Sequence, residues 1–475
     1  MRLKTLLSSL VLASVLVSSA FASPPPLKRG VALGGMHRQT YLYRWTTTLN
    51  PTDDRDYQVM ASMGMDHVRM PIKFFLDKRF GIALDTLPQT YEEMKALIDP
   101  LTVQNSDVGR TWRFWERSMA AAQRYGLTTV VDMHFGDSDK ALMEGLATDI
   151  VTQNRLQALW MYLAEHFIKI NNMKPNQIAF ELLNEPRFNV NTVGAYNQLM
   201  SRWVKAIRSR IGSDYTLLVH SPYMAAIDGL GTPQAPLLNP AIIAPNDPNM
   251  VYVVHYYGPM FITHQGLQVV PWAQDMKSIS RLLNLPYPSA RAVGRPVCSN
   301  LLVYPEDVPS VDDTCIYLFP GVVTTEQGKA QIQAYIDQNW GAERINAEIK
   351  VAKDWADGLG VKVMLDEFGT MLAKKMNVDL ITGKPRAAGT DALSRALWLR
   401  DVRTAAENNG MGWTVWEYGD SFAITHKKGA IWYDTDGVSR WNWAIPPSDS
   451  NPREIIPDSD VVTALGLKQP TTPLH

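Results

Sequence analysis

The stretch QIAFELLNEP, residues 177–186, is an apolar run of strand length that ends abruptly in polar residues. A helix-length amphipathic segment follows it, at residues 196–210. A buried strand followed by a helix is the repeating unit of a parallel sheet, so this stretch predicts one such unit. The strand ends at Asn184 and Glu185, which places two polar side chains at its carboxyl end.

Seven further stretches have the same form. They are GVALGG (30–35), DHVRMPI (66–72), LTTVVDMH (127–134), YTLLVHSP (215–222), MVYVVHYY (250–257), VKVMLDEFG (361–369) and GWTVWEYGD (412–420). Helical patterns lie between them, at residues 111–126, 155–170, 327–359 and 392–408. Eight strand-and-helix units predict an α/β fold, a (β/α)8 TIM barrel, as a single catalytic domain over residues 23–475. An open doubly wound sheet is the alternative, but the first strand leads into GGMHRQTYLYRW, which lacks the GxGxxG fingerprint.

One connection is much longer than the others. Residues 258–325, after the sixth strand, contain many prolines and both cysteines of the chain, Cys298 and Cys315. A long loop at this point lies on the face where barrel enzymes build their active sites. We expect an insertion that walls the cleft and is pinned by a disulfide between the two cysteines. The alternatives are a decorative surface loop and two unpaired buried thiols.

Residues 1–22 predict a secretory signal peptide. Arg2 and Lys4 precede an apolar run, and small residues lead to a cleavage site after Ala22. An uncleaved membrane anchor is the alternative, although the run is shorter than the roughly 20 apolar residues that a spanning helix needs. We therefore expect a secreted or periplasmic protein without a membrane anchor after cleavage.

The composition excludes some partners and favours others. Lys+Arg 46 against Asp+Glu 47 leaves no basic excess for nucleic acid or for an anionic membrane surface. The 14 tryptophans fit a large core, and they also fit a sugar binder, because pyranose faces stack on indole rings. We expect a monomer.

Polar residues occupy the carboxyl ends of seven of the eight predicted strands. They are Arg69, His134, Asn184 with Glu185, His220, His255 with Tyr257, Glu367, and Trp416 with Glu417. In a barrel these ends share one mouth, so the side chains are predicted to converge there.

Glu185 and Glu367 each follow a strongly apolar run, where an ionisable group is costly unless it has a partner. Two facing carboxylates suit glycoside cleavage, one as the protonated acid and the other as the ionised nucleophile, and their pKa values must differ. Arg69 is placed to keep Glu367 ionised, and Asn184 to bond a sugar hydroxyl. For either glutamate alone, a structural salt bridge is the alternative. Glu181 shares its parity with Glu185 and is read as an interior group that needs its own partner.

These segments resemble glycoside hydrolase family 5, the cellulase-like retaining barrel glycosidases. FELLNEP (180–186) is similar to the acid/base signature of the family, and LDEFG (365–369) to its nucleophile signature. VRMPI, DMH, HYY and TVWEYGD resemble the remaining site positions in the same order, and the resemblance covers nearly all of residues 23–475.

The resemblance implies a role for each matching residue. Glu185 would be the acid/base and Glu367 the nucleophile. Arg69 and Tyr257 would orient Glu367, Asn184 would contact the 2-hydroxyl group, His134 and His255 would line the subsite, and Trp416 would stack on the sugar.

Asp366 departs from the family pattern, because many relatives carry a small or neutral residue before the nucleophile. Strand neighbours point to opposite faces, so we expect Asp366 to turn toward the helices; otherwise the assignment of Glu367 weakens.

The sequence thus predicts a secreted β-glycosidase of retaining mechanism, an endo-β-1,4-glucanase acting on β-glucan or a related polysaccharide without a cofactor. The alternatives on the same fold are a β-mannanase, a xyloglucanase, an exo-β-glucosidase and a non-catalytic glycan-binding barrel. A metalloenzyme built on His134, His220, His255 and Asp132 is a further alternative, disfavoured by the lack of a short-spaced ligand pair.

Overall fold

The computed structural model describes residues 24–34, 54–72, 83–135, 140–265, 282–298, 315–318, 324–371, 374–378, 385–388, 390–419, 422–427, 430–435, 438–443 and 455–470. The predicted signal peptide lies outside these residues, so its cleavage stays a prediction. None of the described helices is both long and apolar enough to cross a membrane.

Eight parallel strands close into a barrel. They are β1 (Arg29–Ala32), β2 (His67–Ile72), β3 (Thr128–Met133), β4 (Ile178–Glu181), β5 (Thr216–His220), β6 (Met250–Tyr256), β7 (Lys362–Phe368) and β8 (Gly412–Val415). Each strand pairs with its sequence neighbour, and β1 pairs with β8 to complete the ring. The predicted (β/α)8 barrel is confirmed. Seven of the strands lie within the predicted stretches, and β1 begins one residue earlier, at Arg29.

Within the described ranges, eight longer helices surround the barrel. They are α1 (Asp54–Ser62), α2 (Tyr91–Thr102), α3 (Asp107–Arg124), α4 (Ile150–Ile170), α5 (Val193–Ile211), α6 (Thr325–Asp337), α7 (Ala342–Leu359) and α8 (Ala392–Asn408). Shorter helices span Lys140–Gly145, Pro240–Ile243, Met260–Thr263 and Ser459–Ala464. The segment expected as one helix over residues 327–359 is two, because the chain turns at Asn339, whose φ is 50°. A capping box at Thr324 begins the first of them.

Two hydrophobic layers fix the barrel. The larger core lies between the strands and the helices and contains fully buried tryptophans such as Trp115, Trp203 and Trp355. A smaller cluster fills the barrel interior, with Val130, Leu218 and other apolar side chains. Burying such side chains stabilises the fold by about 1.5–3 kcal/mol each.

Gly30 is required by close packing at the base of the barrel. A Cβ at this position would lie 2.1 Å from His67 Nε2. The missing side chain admits the buried His67 ring, which contacts Asp66 at 2.7 Å and Thr414 at 2.8 Å.

The described part of the long insertion docks on the outside of the barrel. Leu282–Leu283, Val297–Cys298 and Ile316–Leu318 form a small sheet, and a disulfide joins Cys298 to Cys315. Tyr287 donates to Asp401 of α8 at 2.8 Å. Much of the insertion lies outside the described residues, so its predicted role as a cleft wall stays a prediction.

Short antiparallel pairs lie outside the barrel. They are Lys374–Val378 with Pro385–Ala388, Thr425–Lys427 with Ile455–Pro457, and Ala430–Thr435 with Val438–Trp443.

Candidate active site

The eight predicted site residues converge at one end of the barrel. They lie within the strands or in the residues that follow them, namely Arg69 in β2, His134 after β3, Asn184 and Glu185 after β4, His255 in β6, Tyr257 after β6, Glu367 in β7 and Trp416 after β8. Hydrogen bonds, ion pairs and ring contacts link all eight side chains. The predicted convergence is therefore observed, while the role of each residue stays a prediction.

Arg69 is fully buried at the centre of this set. Its guanidinium donates to both oxygens of Glu181, at 2.6 and 2.9 Å, and to Glu367 Oε2 at 2.6 Å. It also donates to Asn184 Oδ1 at 2.8 Å and lies 2.9 Å from Asp132 Oδ2. Burial lowers the pKa of Arg69, but the surrounding carboxylates raise it well above its usual value, so the group is a fixed positive charge.

Glu367 is held by two donors. Arg69 binds Oε2, and the hydroxyl group of Tyr257 donates to Oε1 at 2.7 Å. Burial and the charge of Glu367 raise the pKa of Tyr257 well above its usual value, so the phenol keeps its proton and remains a donor. The carboxylate is thereby fixed in one orientation at the mouth.

Glu185 is more open than Glu367, with 29% of its side chain exposed. Its φ of 42° is unusual for a residue with a Cβ, and its N–H donates to His220 Nδ1 at 3.2 Å. Its carboxylate contacts His255 Nδ1 at 2.9 Å. Burial raises the pKa of Glu185, but the hydrogen bond and charge of His255 outweigh burial and leave the pKa below its usual value.

The two glutamates are close neighbours. One oxygen of Glu185, one oxygen of Glu367 and a ring nitrogen of His255 all lie within 4.8 Å of one another. Two carboxylates at this spacing can both contact the same few atoms of a bound molecule.

Asp366 does not turn toward the helices, so that expectation was wrong. Leu365 pairs with Val254 and Glu367 with His255, and the extra residue between them makes a β-bulge. The bulge breaks the alternation of side chains, so Asp366 and Glu367 both face the barrel interior. Glu367 nevertheless keeps its contacts with Arg69 and Tyr257, so the bulge does not remove it from the site.

His134 and Trp416 form one wall of the site. Asp132 contacts His134 Nδ1 at 2.7 Å, and Asn184 donates to His134 Nε2 at 3.4 Å. Burial lowers the pKa of His134 to about 4, so the ring is neutral and can accept this hydrogen bond. The Trp416 ring stacks on it, with an interplanar angle of 13° and centroids 5.6 Å apart.

Glu181 has the partners that its interior position requires, which confirms the prediction that it needed one. It binds Arg69 and lies 2.5 Å from His220 Nε2. Burial lowers the pKa of His220, but Glu181 and Asp366 raise it to about 9, which alone would favour a doubly protonated ring. The Glu185 N–H, however, donates to His220 Nδ1, and a proton on Nδ1 would point at that N–H. This geometry favours the neutral ring with its proton on Nε2.

Sequence reasoning missed the supporting roles of Asp132, Asp366 and His264. Asp132 lies two residues before His134, and residues two apart on a strand point to the same face, so the sequence could have indicated that these two side chains meet. His264 packs edge-to-face against Tyr257, with centroids 5.1 Å apart. Its segment, FITHQG (261–266), is similar to segments of bacterial cellulases of the family, but the sequence assigned no role to His264. Asp366 depends on a bulge that has no sequence signal.

Among the residues that the structure describes, two groups of side chains bring possible metal ligands together. His220, His255 and Asp366 form one, and Glu185, His255 and Glu367 form the other. Arg69 lies 2.6 Å from Glu367 and 3.8 Å from Asp366, and its charge already serves these carboxylates. A cation would compete with that guanidinium in either group.

A (β/α)8 barrel with two adjacent carboxylates over its mouth defines a class, the barrel enzymes that act through paired acids. A family model described as cellulase (glycosyl hydrolase family 5) matches residues 28–422. The chain belongs to this family, which confirms the resemblance and makes the protein a glycoside hydrolase by family.

Named relatives agree with this assignment. Endoglucanase C of Acetivibrio thermocellus is 28% identical over 262 residues, covering 54% of this chain and 65% of that protein. Cellodextrinase A of Ruminococcus flavefaciens is 25% identical over 259 residues, covering 52% and 62%. The chain spans less than two thirds of the length of both relatives.

Among solved structures, Thermotoga maritima Cel5A in complex with cellobiose is similar with a TM-score of 0.52 and 18% identity, covering 92% of this chain and 97% of that chain. The same protein in complex with mannotriose gives a TM-score of 0.50, with 18% identity and coverage of 92% and 97%. At this identity the likeness supports the fold alone.

Proposed function

We propose that the protein is an exported endo-β-1,4-glucanase that cleaves β-glucan by a retaining double displacement. The observation that carries the mechanism is the separation of at most 4.8 Å between an oxygen of Glu185 and an oxygen of Glu367. Retaining glycosidases hold their carboxyl groups about 5–5.5 Å apart, whereas inverting enzymes need about 6.5–9.5 Å to admit a water molecule. Oxygens this close together favour the retaining arrangement.

In this mechanism Glu367 is the nucleophile. Arg69 and Tyr257 bind its two oxygens from one side, which fixes the carboxylate for attack on the anomeric carbon. The bond to the leaving oxygen breaks as the glycosyl ester forms on Glu367. Water then attacks the anomeric carbon, and the carboxylate of Glu367 is released.

Glu185 supplies the proton to the leaving oxygen and later takes one from the attacking water. Its pKa lies below the usual value, which favours the ionised form. A bound sugar covers the exposed part of the side chain, and this desolvation raises the pKa. Substrate binding therefore converts Glu185 into the protonated acid.

The remaining contacts support a sugar at the same point. Asn184 donates one N–H to His134, which leaves its second N–H for the 2-hydroxyl group. Trp416 and His134 present stacked rings, a flat surface that suits a pyranose face.

The substrate is proposed from the relatives. Endoglucanase C and the cellodextrinase carry names that refer to β-1,4-glucan, and Cel5A was solved with cellobiose. The mannotriose complex of Cel5A keeps a β-mannanase as the second candidate. A xyloglucanase and an exo-β-glucosidase are further candidates, because the cleft loops decide the substrate and the mode of attack. A non-catalytic glycan binder is disfavoured, since binding alone requires neither Glu185 nor Glu367.

A product profile tests the substrate. We expect carboxymethylcellulose and mixed-linkage glucan to lose viscosity faster than reducing ends accumulate, with mannan and xyloglucan cleaved slowly. Release of monosaccharide alone would favour the exo-acting enzyme, and preference for mannan would favour the mannanase. NMR of the first product should show the β-anomer, whereas an α-anomer would mean inversion.

Export is proposed from residues 1–22 and the paired cysteines, Cys298 and Cys315. Expression in a bacterial host followed by fractionation should recover a chain beginning at Ser23 outside the cytoplasm. A full-length chain in the membrane fraction would favour the uncleaved anchor. We also propose a monomer, which sedimentation velocity tests.

A further inference from the structure

Asp366 is a buried carboxylate that the proposed mechanism does not use. Only 1% of its surface is exposed, and it lies 3.2 Å from His255 Nε2, 3.5 Å from His220 Nε2 and 3.8 Å from Arg69 Nε. Within the described ranges, no donor reaches either of its oxygens with full hydrogen-bond alignment. A buried carboxylate in this situation depends on nearby positive charge.

The hydrogen bonds indicate which group supplies that charge. His220 is neutral by geometry, since its Nδ1 accepts the Glu185 N–H and its proton points to Glu181. The guanidinium of Arg69 is directed at Glu181 and Glu367. His255 is the nearest of these groups to Asp366, at 3.2 Å, whereas the nearest nitrogen of Arg69 lies 3.8 Å away.

Both nitrogens of His255 face carboxylates. Nδ1 lies 2.9 Å from Glu185 and 3.7 Å from Glu367, and Nε2 lies 3.2 Å from Asp366. An imidazole has two donor nitrogens only when it is protonated. Burial lowers the pKa of His255, but Glu367 and Asp366 raise it well above its usual value.

The other charged and titratable groups around Glu185 and His255 come from every side of the mouth. They are Arg69 of β2, Asp132 and His134 from β3, Glu181 of β4, His220 of β5, Tyr257 and His264 after β6, and Glu367 of β7.

We propose that Asp366 is a positioning residue that keeps a proton on His255 and, through that imidazolium, sets the protonation state of Glu185. This inference rests on the proposed function, because it assigns the residue that tunes the acid/base. Asp366, His255 and Glu185 thus form a relay of contacts. The bulge places Asp366 beside His255, whereas a regular strand would turn it away.

The sign of one pH shift distinguishes this relay from a direct charge effect. In Asp366→Asn, loss of the carboxylate lets His255 lose its proton, and the pKa of Glu185 then rises. The alkaline limb of kcat/KM for phenyl β-cellobioside should move up by about 1 pH unit, the low end of the effect of one adjacent charge. Removing a negative charge that acted directly on Glu185 would move the limb down. A limb that moves down or stays in place overturns the proposal.

A second measurement does not depend on activity. In protein labelled with 15N-histidine, His255 should be doubly protonated at pH 7 and should become neutral in Asp366→Asn. A neutral His255 in the wild-type protein overturns the inference even if no glycoside is cleaved. If instead no glycoside is cleaved but His255 titrates as expected, the proposed function fails and the relay stands.

Asp401→Asn is the matched control. Asp401 is another buried aspartate; it lies on α8, away from the mouth, and binds Tyr287. It should leave the pH profile and the His255 signals unchanged. If Asp366→Asn does not fold, Asp366→Ser and the wild-type spectrum still decide the question.

Discussion

Replacing Arg69 by methionine removes the guanidinium on which three buried carboxylates depend. Glu181 loses contacts of 2.6 and 2.9 Å, Glu367 one of 2.6 Å and Asp132 one of 2.9 Å. Breaking one buried ion pair by removing a single partner costs about 3–5 kcal/mol. We expect a loss of at least this size in the free energy of unfolding, a large part of the roughly 5–15 kcal/mol that holds a typical domain.

The same change should slow catalysis in the molecules that remain folded. Glu367 loses one charge-assisted hydrogen bond, worth about 1.5–3 kcal/mol, which corresponds to about a 10- to 150-fold fall in kcat. Urea denaturation and the hydrolysis of an aryl β-cellobioside measure the two effects. Adding Glu181→Gln should recover part of the stability, because one uncompensated charge disappears, but it should not recover the turnover.

Arg208→Met is the matched control. Arg208 is a partly buried arginine on α5, where it binds Asp247 at 2.8 Å and the carbonyl oxygen of Tyr215, just before β5 and away from the mouth, at 2.5 Å. It should lower stability and leave kcat/KM unchanged. If Arg69→Met is as stable as the wild-type protein and turns over substrate at the same rate, Arg69 is not the electrostatic centre of the site.

Three further outcomes are expected. Glu185→Ala should reduce kcat/KM far more for phenyl than for 2,4-dinitrophenyl β-cellobioside, since only the poor leaving group needs a proton; equal losses would argue against the acid role. For the wild-type protein, kcat/KM should fall as pH rises through a limb on the acid side of neutrality, because His255 keeps the pKa of Glu185 below its usual value and the active form is protonated; constant activity up to pH 8 would contradict this. Exhaustive chelation should leave activity intact, since Arg69 already supplies the positive charge beside Glu367; activity restored only by an added divalent cation would favour the metalloenzyme.

Much of the fold can be predicted from the sequence, because each barrel strand is an apolar run and seven of the eight runs end in a polar residue. FELLNEP and LDEFG place Glu185 and Glu367 correctly, since the carboxyl ends of parallel strands must share one mouth. Alternation along the strand also predicts the interior position of Glu181, four residues before Glu185, where Arg69 and His220 bind it.

The sequence fails where the backbone departs from a regular strand. Alternation predicts that Asp366 faces the helices, but the bulge between Leu365 and Glu367 turns it inward. A bulge depends on how a strand fits both neighbours, here β6 and β8, and no local composition encodes that fit. The left-handed backbone of Glu185 is equally non-local, because the contact with His220 from β5 helps hold it.

In the proposed mechanism Glu367 forms a covalent bond to the sugar while Glu185 acts as acid and base. Incubation with 2,4-dinitrophenyl 2-deoxy-2-fluoro-β-cellobioside, followed by proteolysis and tandem mass spectrometry, tests it directly. We expect one equivalent of dinitrophenol to be released per active site and a fluoroglycosyl label to form on Glu367. A label on Glu185 or Asp366, or turnover of the substrate without any covalent adduct, would contradict it.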